Sequence, residues 1–289
     1  MDISAKDVMA LRKKSGAGMM DCKKALKETE GDFDAAMKFL REKGMIAAKK
    51  RADKAASEGR VAISMNDDKT RAVIIEANSE TDFVSRNAEF IDIVDYYLSA
   101  AMSVITGSPT KDDVSLEDLD LDKIKELAGR LGENLSINRV GCVVFDGDGF
   151  ISGYIHPGDQ LGVLIHMSGD PEALASEEAK ILAHDLTLQI AASAPGYIRR
   201  DEVDAEVLEK EKEIYKNQMR NEGKPEAMLD KIADGKINKF FQENCLLEQE
   251  YVKETKIKVS ARVKEACKTA GGELVVSKFL RYKVGEGTA

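Results

Sequence analysis

Apolar positions along this chain switch between helical spacing and strict alternation, and the switches divide it into segments. Val8, Met9 and Leu11 mark a first helix, broken at Ser15-Gly16-Ala17-Gly18, where glycine reaches backbone conformations closed to other residues. Met19, Cys22, Lys23, Ala25 and Leu26 return at helical spacing. Glu30-Gly31-Asp32 interrupts again, Asp32 or Asp34 is placed to cap, and Ala35, Ala36, Phe39 and Leu40 form the inner face of a third helix. Residues 1–46 therefore read as a compact three-helix bundle. Residues 47–59, AAKKRADKAASEG, lack a clear apolar face and read as a solvated, partly helical linker, with a nucleic-acid patch as the alternative.

From Arg60 the period becomes two. Val61, Ile63 and Met65 alternate with small or polar residues, Asn66–Lys69 turns the chain, and Arg71 to Ala77 supplies a second strand. The polar stretch 78–82 is a loop. After it Phe90, Ile91, Val94, Tyr97, Leu98, Ala101, Met102 and Ile105 predict a long helix, and a further helix is expected over 121–131. A similar plan then recurs. Arg139 to Phe145 reads as a strand, Asp146-Gly147-Asp148-Gly149 as a hairpin turn by composition, and Phe150–Ile155 and Leu161–Met167 as strands. Ala179, Leu182, Ala183, Leu186, Ile190 and Ala191 make a helix. Two units of like order suggest an internal duplication.

Residues 200–242 carry only a thin apolar stripe in a very charged segment that turns at Gly223-Lys224-Pro225, the pattern of a protruding helical hairpin. A helix around 259–267 and a strand over 274–284 close the chain. The fold class read from this is a helix-rich α+β. It has an N-terminal ubiquitin-associated-like bundle (1–46), a linker (47–59) and a two-part core with antiparallel sheets (60–138, then 139–199 with 243–289). The helical hairpin (200–242) is inserted in the second part.

Composition narrows the function. Of the 289 residues 43% are hydrophobic and 33% charged, which supports packed cores and excludes a disordered chain. The formal net charge of −9 argues against nucleic acid as the primary ligand, since phosphate binding needs a dominant basic face. The N-terminus has no signal-peptide core, and no apolar run is long enough to span a bilayer. Cys22, Cys142, Cys245 and Cys267 form no CxxC pair and read as reduced thiols of a cytoplasmic protein. There is no P-loop, and Gly16-Ala17-Gly18 follows a helix rather than the strand a dinucleotide fingerprint needs. Neither HExxH nor GxSxG occurs, and FDGDGF lacks the plan of a calcium loop, so no metal or cofactor is expected.

Two segments say more. LRKKSGAGMMDCKKAL (11–26) and EANSETDFVSRNAEF (76–90) together resemble the two signature regions of the bacterial elongation factor Ts family. Weaker echoes run through GENLSINRV (132–140), YIHPGDQLGVLI (154–165), NEGKPEAMLDKI (221–232) and FLRYKVGEG (279–287). The resemblance implies guanine-nucleotide exchange on elongation factor Tu, with no covalent chemistry. It implies that Phe83 wedges beside the magnesium site of the GTPase, that Asp82 disturbs that site, and that Thr81 and Val84 complete the motif. It further implies that Arg12, Met19 and Met20 grip the GTPase domain and that His156 touches another part of the partner, although HPGD departs from the usual family letters. In some relatives the hairpin 200–242 mediates a homodimer, in others an extra GTPase contact. Some also continue past GEG into a C-terminal helix, a contact expected to be missing or replaced here.

Taken without the resemblance, Phe83 reads as the first buried residue of the following helix with Asp82 as its cap, and the methionines as core of the bundle. The competing functions are a ubiquitin-associated-type scaffold without exchange activity, a small-molecule enzyme on the α+β core, and an RNA-binding accessory factor. The enzyme needs a deep polar pocket with perturbed titratable groups, and the accessory factor needs basic charge.

Overall fold

The computed structural model describes residues 3–15, 17–40, 56–107 and 113–286. Helices α1 (Ala5–Ser15), α2 (Met19–Glu28) and α3 (from 33 to the last described residue, 40) enclose a small core of Val8, Leu11, Cys22, Ala25, Leu26, Ala36 and Leu40. Asp32 caps α3, its Oδ1 accepting from the backbone N–H of Asp34 at 3.0 Å and of Ala35 at 2.9 Å. Most of the segment read as linker lies outside the described residues, and its end is already strand, since β1 begins at Glu58.

Strands β1 (Glu58–Met65), β2 (Arg71–Ser79) and β3 (Leu135–Val144) form one antiparallel sheet in the order β1-β2-β3. Between β2 and β3 run the short helix α4 (Asp82–Ser85), the long α5 (Ala88–Gly107) and α6 (Asp122–Leu131). The second sheet repeats the plan. Strands β4 (Gly149–Ile155) and β5 (Leu161–Gly169) are followed by α7 (Pro171–Ala175) and α8 (Glu177–Ser193). After them come two long helices, α9 (Ala205–Asn221) and α10 (Glu226–Asn244), and a two-stranded ribbon, β6 (Glu250–Tyr251) and β7 (Glu254–Lys258). Helix α11 (Val259–Ala270) leads into β8 (Leu274–Lys283), which closes the sheet in the order β4-β5-β8.

This topology corrects the sequence reading at one point. Residues 139–144 pair with β2, not with β4, so they complete the first unit and the core divides at 146–149 rather than at 138. Asp146–Gly149 turns between sheets instead of closing a hairpin. Turn composition marks where a chain reverses, but not which strands then pair.

The two sheets pack face to face. Val61, Ala72, Ile74, Val143, Ile151 and Leu164 form the layer between them. The alternate residues of β2, Val73, Ile75 and Ala77, face α5 and α6, while Val163, Ile165 and Met167 of β5 face α8 and α11. The central strands are therefore apolar on both faces, which explains their unbroken hydrophobic runs. Close approach demands glycine at 162, where a Cβ would stand 2.6 Å from Val61 Cγ1.

Both third strands carry a bulge at the equivalent place. Glu76 pairs with Arg139 and Ala77 with Ile137, leaving Asn138 as the extra residue. His166 pairs with Lys278 and Met167 with Val276, leaving Ser277 extra. Glu76 and His166 occupy matching positions in β2 and β5, so the duplication extends to this irregularity. The extra residue reverses the alternation: Ile137 faces the helices on one side of the bulge and Val140 on the other.

Helices α9 and α10 run antiparallel, with ion pairs Lys212–Asp234 at 3.4 Å, Lys216–Asp230 at 2.8 Å and Arg220–Glu226 at 2.6 Å rising toward the turn.

Candidate partner-binding site

Strand β2 ends at Ser79, and the chain must turn to enter α5. A one-turn helix cannot sustain itself, because nucleation fixes several dihedrals for a single hydrogen bond. Here α4 is held from outside. Thr81 takes an extended backbone (φ −127°, ψ 155°), and its Oγ1 accepts from the Val84 N–H at 3.4 Å, which makes it the cap. The Ser79 hydroxyl donates to the Thr81 carbonyl at 2.8 Å, and the Ser85 hydroxyl to the Asp82 carbonyl at 2.9 Å. Val84 packs against the core of the first unit.

Phe83 makes no comparable contact with the fold. It is 83% exposed, the most exposed large hydrophobic side chain among the described residues. Burial of Phe83 at the head of the following helix, with Asp82 as cap, is thus not what the chain adopts: Thr81 caps and Phe83 points to solvent. Asp82 beside it is half-exposed and pairs with Arg86 at 3.2 Å. An aromatic ring removes ~150–250 Å² from water when buried, so a rigidly mounted exposed Phe is a ready anchor for a partner pocket.

Two carboxylates that sequence reasoning missed tie this turn to the start of β3. Glu133 accepts from Thr81 Oγ1 at 2.8 Å and from the Thr81 N–H at 3.1 Å, and Glu80 accepts from the Asn134 N–H at 2.7 Å. Gly132, left-handed at φ 75°, ends α6 and turns Glu133 and Asn134 toward the loop. The only hint in the sequence was that both acids lie inside segments already singled out, SETDF and GENLSINRV.

A family model for elongation factor TS matches residues 80–286. The chain is 45% identical to an Elongation factor Ts of Symbiobacterium thermophilum over 99% of its length and 93% of the relative's. It is 44% identical to that of Chlorobium phaeobacteroides, covering 98% and 99%, and 43% identical to one from Clostridium botulinum, covering 99% and 94%. The chain belongs to the elongation factor Ts family. It is accordingly a factor of translation elongation.

The other residues that the resemblance to elongation factor Ts singled out lie on separate elements. Arg12 is exposed in the last turn of α1. Met19 and Met20 open α2 and are 47% and 76% exposed, so neither is core, and Cys22, Ala25 and Leu26 fill the bundle instead. His156 is exposed in the β4–β5 turn, its Nδ1 within 2.8 Å of the Tyr154 hydroxyl. The Tyr154 ring also meets His184 edge-on at 6.4 Å, a second imidazole on this face that the sequence did not reveal. The third histidine, His166, stacks on Phe145 at 4.0 Å, and burial, then the nearby Lys278 charge, lowers its pKa. Among the described residues no group of three or more His, Cys, Asp or Glu side chains could hold a metal ion, and no helix is long and apolar enough to cross a membrane.

Proposed function

We propose that this chain is a cytoplasmic guanine-nucleotide exchange factor that binds elongation factor Tu in its GDP form and promotes GDP release. The observation that carries the reading is Phe83, 83% exposed on a turn held by hydrogen bonds to Glu133 and Asn134. Phe83 enters an apolar pocket beside the magnesium site of the GTPase, and Asp82 brings a carboxylate to the groups that organise Mg²⁺. That ion needs near-octahedral oxygen geometry, so small ligand shifts weaken it and loosen GDP. Thr81 and Val84 supply the mount, one as cap and the other as apolar anchor.

Coupling between the two ligands is reciprocal: the factor weakens GDP by as much as GDP weakens the factor. One contact supplies too little, since typical couplings of ~1–3 kcal/mol give ~5–150-fold. Further contacts come from Arg12, Met19 and Met20 on the ubiquitin-associated-like N-terminal unit, and from His156 on the second core unit. Met9, 63% exposed on α1, offers further apolar surface on the same unit. The protein forms and breaks no covalent bond and needs no cofactor. Nucleic acid is not a direct ligand. The antiparallel pair α9–α10 is a protruding hairpin that serves either a homodimer or an extra GTPase contact.

The test is release of a fluorescent GDP analogue from elongation factor Tu at substoichiometric amounts of this protein. Multiple turnovers of accelerated release are expected. Stable binding without acceleration would replace this reading with that of a scaffold.

A further inference from the structure

We propose that Glu133 is a positioning residue for exchange: it sets how Phe83 is presented to the GTPase without touching it. This rests on the reading of Phe83 given above.

Its two carboxylate oxygens are both used on Thr81, Oε1 by the hydroxyl at 2.8 Å and Oε2 by the backbone N–H at 3.1 Å. A hydroxyl has one proton and two lone pairs. Donation to Glu133 fixes that proton and leaves a lone pair aimed at the Val84 N–H, which Thr81 caps. Glu133 therefore selects the rotamer in which Thr81 nucleates α4. The converse tie runs from Glu80 back to the Asn134 N–H at 2.7 Å, so adjacent residues of each loop hold the other in a reciprocal clasp. Hydrogen bonds to charged acceptors are about twice as strong as neutral ones, which suits a short, half-exposed segment with only Val84 packed into the core.

The placement matters because Phe83 contributes nothing to its own positioning. Its ring is outside the fold, and α4 spans only Asp82–Ser85. Without the clasp the turn samples other conformations, and the productive share of bound complexes falls to the fraction whose turn remains competent. The effect passes only through the Phe83 wedge, whereas contacts from Arg12, Met19 and Met20 on another unit are unaffected.

The experiment compares GDP release from elongation factor Tu, at subsaturating and saturating factor, for wild type, Glu133→Ala, Glu133→Gln, Phe83→Ala and Glu133→Ala/Phe83→Ala. Hydrogen exchange of the amides over residues 79–86 is measured on the same proteins. Glu133→Ala is expected to lower the saturated release rate about tenfold, the loss expected if about one turn in ten stays competent. KM is expected to change little, and the amides of Thr81 and Val84 to lose protection. Glu133→Gln keeps the acceptor for the Thr81 hydroxyl and is expected to recover part of the rate. The double variant is expected to match Phe83→Ala alone, because Glu133 has nothing left to position. Losses that multiply in the double variant, or a Glu133→Ala rate equal to wild type, would overturn the proposal. If wild type itself fails to accelerate release, the exchange reading fails instead, and the amide protection alone then decides whether Glu133 orders the turn.

Discussion

Leu164 sits in the centre of β5 with no exposed surface, in the layer between the two sheets. Its Cδ2 leans over Gly153 on the neighbouring strand, where an added Cβ would come to 3.3 Å. Leu164→Ala removes three carbons, about 2.4 kcal/mol of transfer free energy at ~0.8 kcal/mol each, and leaves a cavity that raises the cost to about 3–4 kcal/mol. Gly153→Ala alone is expected to lie within about 1 kcal/mol of neutral, the lost strand entropy of glycine offsetting the tight contact. In the double variant the new methyl occupies the vacated space and recovers about 1 kcal/mol. Urea denaturation followed by circular dichroism, on all four proteins, reads this out as a coupled cycle. A cost below about 1 kcal/mol for Leu164→Ala, or strict additivity of the two changes, would refute the packing of the sheets on each other.

Other regions give independent checks. Gly235 lies inside α10 with open space around its Cα, so Gly235→Ala is expected to stabilise that helix by about 0.5–1 kcal/mol, seen as raised helicity or melting temperature. His166 is half-buried with a lowered pKa, so its folded form resists protonation while the unfolded chain does not. Its contribution is intact above the unfolded value of about 6.5 and is lost as pH falls below it. The stability of wild type relative to His166→Gln should therefore decline as pH falls below about 6.5, and a pH-independent difference would contradict the lowered pKa of this half-buried imidazole.

Long amphipathic helices were legible because their apolar faces repeat many times: α5 and α6 fall where Phe90–Ile105 and 121–131 predicted them. Strand identity was legible as well, but strand partnership was not. Residues 139–144 of β3 read correctly as strand, residues 135–138 did not, and the strand was assigned to the wrong sheet, since pairing with β2 is decided across more than fifty residues of intervening chain. The bulges at Asn138 and Ser277 were hidden for the same reason: an extra residue disturbs alternation only relative to a partner. At the site, Thr81 and Asp82 are both good caps, and only backbone conformation separates them. Phe83 defeats a patterning argument outright, because its exposure is set by the capped turn that carries it and not by any hydrophobic period. Glu133 lies 52 residues from Thr81, beyond any local signal.

Phe83 is proposed to act on the GTPase and not on its own fold. Phe83→Ala should leave thermal stability within about 0.5 kcal/mol of wild type, as a surface substitution does. With 83% of the residue free, docking the ring buries about 125–210 Å². At ~25 cal/mol per Å² that is about 3–5 kcal/mol, which sets an upper bound of a ~150- to 5,000-fold loss in kcat/KM for exchange. The deciding measurement is stopped-flow release of fluorescent GDP from elongation factor Tu by wild type and Phe83→Ala, beside their melting curves. A large loss of exchange with an unchanged melt is the predicted result. Equal exchange by the two proteins would contradict the account, and so would a variant that loses exchange only because it has lost its fold.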